Sequence, residues 1–127
     1  MSGIVLDAGA LIALERGEQV LWRLTKTAVD THQEIYVPST VVAQVWRGSR
    51  AQALLARLLD VSVIVPFDPL ARRIGELCGR AKRADICDAH VALFASLQDA
   101  EAIYTSDPDD IGHLLAACGF PNRVVRC

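Results

Sequence analysis

Six of the ten Asp residues fall between positions 85 and 110 (Asp85, Asp88, Asp99, Asp107, Asp109 and Asp110), and that interval holds no Lys or Arg. A seventh, Asp7, interrupts the apolar opening IVLDAGALIALE. Helix capping explains several of them singly: Asp7 opens a helical pattern, Asp85 precedes one, and Asp107-Pro108 puts a cap residue before proline at the first helical position. Capping does not require Asp88, three residues beyond Asp85, and clustered carboxylates without cations repel one another. A divalent cation removes that repulsion. Hard oxygen donors suit Mg²⁺ or Mn²⁺, while the lack of paired Cys and His disfavours zinc. An ion held in this way, with room for water and a phosphate oxygen, favours hydrolysis of a phosphodiester.

The segment 47–83 carries eight Lys or Arg against three acidic residues. Within it, Arg47, Arg50, Arg80 and Arg83 are candidates for neutralising backbone phosphates, contacts that govern affinity more than sequence choice. The same charges also read as the solvated faces of two amphipathic helices.

Positioning those side chains requires alternating strands and helices. Ile4-Val5-Leu6 reads as a strand entering the helix-like ALIALE, residues 19–33 as a helix, and Ile35-Tyr36-Val37 as a strand ending at Pro38. Ser39 is the expected N-cap of the helix carrying VVAQVWR. Ala51, Leu54, Leu55, Leu58 and Leu59 keep the spacing of one buried helix face, and Val61 to Val65 reads as a fully buried strand. Leu70, Ile74, Leu77, Cys78 and Ala81 mark an amphipathic helix, and Ile86 to Leu97 a more apolar one. A strand over 102–105 enters Ser106-Asp107-Pro108, and a last helix runs to about Cys118 with Gly119 at its end. Residues 123–126 then suit an edge strand. The pattern predicts an α/β three-layer sandwich around a mostly parallel sheet, as a single domain over residues 1–127. In such sheets the site lies beyond the carboxyl ends of the strands, where Asp7 and Asp107 fall.

Composition sets bounds. With 127 residues, 52% of them apolar, the chain can bury an ordinary core without disulfides. A net charge of -2 argues against binding nucleic acid or anionic membrane by overall basicity. The longest stretches free of charge, residues 35–46 and 111–122, are well short of the roughly 20 apolar residues of a membrane helix. The opening segment lacks a positive leader, so a cytoplasmic location is expected. Cys78, Cys87, Cys118 and Cys127 form no C-x-x-C pair and read as reduced thiols buried as small hydrophobes. Trp22 and Trp46 sit at apolar helix positions that favour packing over base stacking. His90 reads as a hydrogen-bonded core residue, and no Gly-rich phosphate loop is present.

Three segments in order, VLDAGALIALE, DICDAHVALFA and TSDPDDI, resemble PIN-domain ribonucleases and, within them, VapC toxins of bacterial toxin–antitoxin pairs. The resemblance covers nearly the whole chain. It implies a PIN-like sandwich with a parallel sheet of about five strands and a Mg²⁺- or Mn²⁺-dependent endoribonuclease acting on RNA. It also implies a VapB-like antitoxin as partner and a homodimer. By residue, Asp7, Asp88 and Asp107 match the family's metal-binding acids, and Asp85 and Asp110 match positions that are often acidic.

One position departs from the family pattern. Where the family usually carries Glu on the helix after the second strand, this chain has Gln44. An amide ligates weakly through its oxygen and cannot be a general base at neutral pH. Two outcomes follow: Asp7, Asp88 and Asp107 suffice with Gln44 orienting a water, or the chain is a catalytically weakened module that works by binding antitoxin or RNA. A phospho-acceptor receiver domain shares the acids at strand ends but needs a late Lys, and only Lys26 and Lys82 exist.

Overall fold

Five short strands form one parallel sheet in the order β3-β2-β1-β4-β5: β1 Ile4–Leu6, β2 Ile35–Pro38, β3 Val63–Val65, β4 Ala102–Thr105 and β5 Val124–Arg126. The computed structural model describes residues 3–127; Met1 and Ser2, with which the expected domain span begins, lie outside the described residues. The helices are α1 Ala8–Glu15, α2 Gln19–Asp30, α3 Ser39–Val45, α4 Ala53–Asp60, α5 Ala71–Ala81, α6 Ile86–Gln98 and α7 Pro108–Ala117.

Chain direction across the sheet decides which layer each helix joins. From β1 the chain steps outward through β2 to β3, then crosses back to β4 and on to β5. Right-handed crossovers put helices of the outward steps on one face and those of the return on the other. Accordingly α1 packs on β1 and β4 and α2 on β2, while α6 packs on β1 and β2 and α7 on β5. The sheet is the middle of three layers. Because both its faces are covered, β1 and β2 are buried along their whole length, which is why IVL and IYVP are continuous apolar runs and not alternating ones.

The helices show the same logic. Ile74, Leu77 and Ala81 bury one stripe of α5, whereas α1 is buried at Ala10, Leu11, Ala13 and Leu14 because α2, α3, α4 and the sheet surround it. Lys82 closes α5 in the left-handed region (φ 54°), and the Arg83 amide donates to the Cys78 carbonyl at 3.1 Å. That stop turns the chain toward Asp85.

Several expectations need correction. Ser39 is the first helical residue and not the cap; Pro38 takes that place, and Ser39 Oγ accepts the Phe67 amide at 3.1 Å, tying α3 to the segment after β3. Residues 51–59 are not one buried face: a 3-10 turn at Arg50–Gln52 breaks the helix, Ala51 and Leu54 are exposed, and of the five apolar positions Leu55 and Leu58 alone are fully covered. Nor is Val61 to Val65 a fully buried strand. Only Val63–Val65 pairs, and Val61, Val63 and Ile64 are exposed because β3 is an edge with one neighbour. The second helix stops at Asp30, three residues early. The four cysteines are free, and all are half-buried where full burial was expected.

Candidate metal centre between β1 and β4

Strand order reverses between β1 and β4, so the helices that follow them leave toward opposite faces and open a crevice at their carboxyl ends. Asp7 and Asp107 are the residues at that point: Asp7 directly follows β1 and caps α1, and Asp107 precedes α7. Asp88 arrives from the first turn of α6 and Asp110 from that of α7.

The carboxylates divide into those that cap and those that do not. Asp7 Oδ1 accepts the Ala10 amide at 3.0 Å, and Asp85 Oδ1 accepts the Asp88 amide at 2.9 Å, so both serve helix termini as expected. Asp107 makes no capping hydrogen bond with its side chain. Instead, one oxygen each from Asp88, Asp107 and Asp110 lies within 4.8 Å of the others. Of the expected trio, Asp88 and Asp107 fall in this group, Asp110 stands in it where Asp7 was expected, and Asp7 is buried, 4% exposed.

Their charges act on one another. Asp88 is pushed up to about 7, first by burial and then by the charges of Asp85, Asp7, Asp107 and Asp110. Burial also raises Asp7; the Thr105 hydroxyl and the amides of Ala10 and Gly9 pull it back, and Asp107 raises it further. Asp107 is raised by partial desolvation and then by Asp110. The field extends to Cys127, whose thiol is pushed up to about 11 by burial, Asp7 and Glu18. Three oxygens that close, with no compensating buried cation among the described residues and with protonation favoured, are the arrangement a hard divalent cation relieves. The donor set fits Mg²⁺ or Mn²⁺ in charge and hardness.

Two positioning residues were not singled out from the sequence. Thr105, fully buried at the end of β4, accepts the Asp107 amide at 2.8 Å while its hydroxyl also serves Asp7, so one side chain links the two strand ends. Gly9 lets α1 approach the β4–α7 turn: a methyl there would collide with the Ser106 side chain and stand 2.8 Å from its backbone nitrogen. A Thr at a strand end just before Ser-Asp, and a Gly two residues after the first Asp, are the signals that were available.

The remaining candidates are dispersed. Gln44 is exposed on α3, and no hydrogen bond to it is found among the described residues. One turn earlier, Thr40 shares a 2.8 Å hydrogen bond with His90 Nδ1, and Cys87 Sγ donates to the Thr40 carbonyl, so Gln44 continues the α3 face that meets α6. His90 is fully buried with Phe67 edge-on to its ring, as a core residue. Trp22 is half-buried and donates to the Leu14 carbonyl, whereas Trp46 is exposed at the end of α3. Among the arginines, Arg47 turns back to the carbonyls of Ala43 and Trp46, Arg50 is exposed, and Arg80 acts on Cys118 at the far end of α7. Arg83 alone of the four reaches the carboxylates, its Nε 4.0 Å from Asp110 Oδ1.

Among the described residues, no helix is long and apolar enough to cross a membrane. Compared with known families, residues 4–114 match the family model described as PIN domain. No curated protein matches the chain.

Proposed function

Because the chain belongs to the PIN-domain family, whose match supports nuclease activity in general, we propose that it is a Mg²⁺- or Mn²⁺-dependent endoribonuclease serving as the toxin of a VapBC-like toxin–antitoxin pair. The observation that carries the reading is the convergence of Asp88, Asp107 and Asp110 within 4.8 Å, where the charge of Asp7 also acts on Asp88. Those residues would hold the ion, with Asp7, Asp88 and Asp107 as the core of the set and Asp110 offering a further oxygen. A bound Mg²⁺ or Mn²⁺ supplies Lewis acidity toward a phosphoryl oxygen and lowers the pKa of water.

The chain's own groups supply the rest. The Ala10 amide at the α1 N-terminus holds the Asp7 carboxylate, and Thr105 holds the backbone of Asp107 at the end of β4. Asp85 holds the first turn of α6, and with it Asp88, through its bond to the Asp88 amide. Asp88, raised to about 7 in the cation-free cluster, must give up its proton for a divalent ion to bind. Gln44 carries no charge to this set. The converging oxygens come from α6 and α7, so a Gln on α3 leaves them intact, which supports activity over the reading of a weakened binding module.

An antitoxin partner finds support on the opposite layer. A groove of about 420 Å³ between α2 and α4 is lined by Trp22, Val29, Leu58 and Val61, with Arg23, Lys26 and Arg57 among its walls and no acid. Its apolar floor and positive rim complement an antitoxin segment that carries apolar and acidic side chains together.

The test is cleavage of total RNA by purified protein in Mg²⁺ or Mn²⁺ beside Asp7→Asn protein prepared identically. Discrete products from the parent alone, lost on chelation, are expected. Equal cleavage by both proteins, or none by the folded parent, would contradict the proposal.

A further inference from the structure

Among the described residues, Arg83 pairs with a carboxylate of the acidic cleft. Arg83 stands in the short joint between α5 and α6, its backbone pinned by the bond from its amide to the Cys78 carbonyl and by the left-handed Lys82 before it. The guanidinium points to Asp110 but stops 4.0 Å short, with the two side chains 44% and 50% exposed. The guanidinium also makes a long 3.4 Å bond from Nη1 to the Lys82 carbonyl. A pair this exposed and this loose contributes little. The backbone is fixed and the head is free to move.

We infer that Arg83 is the phosphate clamp of the cleft: it counters Asp110 in the cation-free protein and grips a non-bridging oxygen of an RNA backbone phosphate when substrate enters. Guanidinium chemistry favours this role, since its planar fork pairs with two phosphate oxygens while keeping its charge at any physiological pH. Position selects it over Arg47, which turns back to the carbonyls of Ala43 and Trp46, and over Arg80, which acts at the far end of α7. The inference rests on the nuclease reading of the same cleft and adds the residue that draws substrate there.

A clamp and a structural strut make opposite demands on cation binding. Arg83 and a divalent ion compete for the field of Asp110, so removing the arginine strengthens ion binding while weakening substrate handling; a strut that shaped the cleft would weaken both. The experiment compares parent, Arg83→Ala and Arg83→Lys. Mn²⁺ affinity is measured by calorimetry on protein alone, affinity for a fluorescent single-stranded RNA in Mn²⁺ by anisotropy across a salt series, and cleavage by kcat and KM. Arg83→Ala is expected to bind Mn²⁺ as tightly as the parent or up to several-fold more tightly, to lose roughly tenfold or more in kcat/KM, and to lower the salt slope by about one. Lys is expected to recover part of the loss. Parallel loss of Mn²⁺ affinity, or unchanged RNA affinity and cleavage in Arg83→Ala, would overturn the assignment. If the parent binds Mn²⁺ yet cuts no RNA, the nuclease reading fails by itself, and the assignment is then decided by RNA affinity alone.

Discussion

The two concavities of the molecule are electrostatic opposites. At the carboxyl ends of β1 and β4, Asp88, Asp107 and Asp110 converge within the field of Asp7, and Arg83 stands loosely against Asp110. Between α2 and α4, an apolar floor is ringed by Arg23, Lys26 and Arg57. The first spends stability to keep charges together; the second leaves apolar surface such as Val61, 57% exposed, without cover. Neither arrangement favours an isolated chain; under the proposed function a small hard cation relieves the first and an amphipathic acidic segment the second. The two regions can therefore be disabled separately.

The largest separation is expected from Asp88→Asn. Cleavage falls at least a hundredfold, antitoxin binding in the α2–α4 groove is unchanged, and the metal-free protein melts a few degrees higher because a repelled carboxylate is gone. Nuclease assays, partner titration and circular dichroism measure the three. A lower melting temperature would show the cluster to be structural. The reciprocal variant is Val61→Glu, which puts an acid among the groove's cations: inhibition by the antitoxin weakens by tenfold or more while cleavage by the free protein stays within twofold. Parallel loss of cleavage would merge the two regions into one.

A smaller effect, on the order of tenfold in cleavage, is expected from Gly9→Ala, because the added methyl must displace Ser106 and with it Asp107. Its Mn²⁺ affinity should fall too, with the groove unaffected. The smallest effect concerns pH. Folding lifts Asp88 from the ordinary carboxyl range to about 7, so between those values the folded state holds a proton that the unfolded chain has released. Stability of the metal-free protein therefore falls as pH rises from about 4 to 7, relative to Asp88→Asn, and is flat above. Mn²⁺ competes with that proton, so its affinity rises with pH to about 7 and then levels. A Mn²⁺ affinity independent of pH across this range would contradict the coupling.

Legibility from sequence differed between the same regions. The strands that carry the cleft are central ones, and continuous apolar runs such as IVL announce burial on both faces, so β1 and β4 and the acids at their ends were readable. Periodicity also located α5, α6 and α7 closely. It failed at the edge, where Val61 to Val65 has the composition of a buried strand but only one sheet neighbour, and where residues 51–59 keep a helical spacing across a 3-10 break. Composition records what a segment can bury, and only topology decides whether anything arrives to cover it. The groove lies beside those misread segments, and that is why it was not anticipated. Within the cleft, spacing pointed to Asp7, Asp88 and Asp107, but which oxygens converge depends on how α6 and α7 pack, and Asp110 joined the tight group by that route.

The most direct test of the central claim is the anomalous signal of Mn²⁺ in crystals of the free protein grown or soaked near neutral pH. The account predicts a peak bounded by carboxylate oxygens of Asp88, Asp107 and Asp110, next to Asp7, and its loss in Asp88→Asn. An empty cleft at millimolar Mn²⁺, or a peak confined to carboxylates elsewhere on the surface, would contradict it.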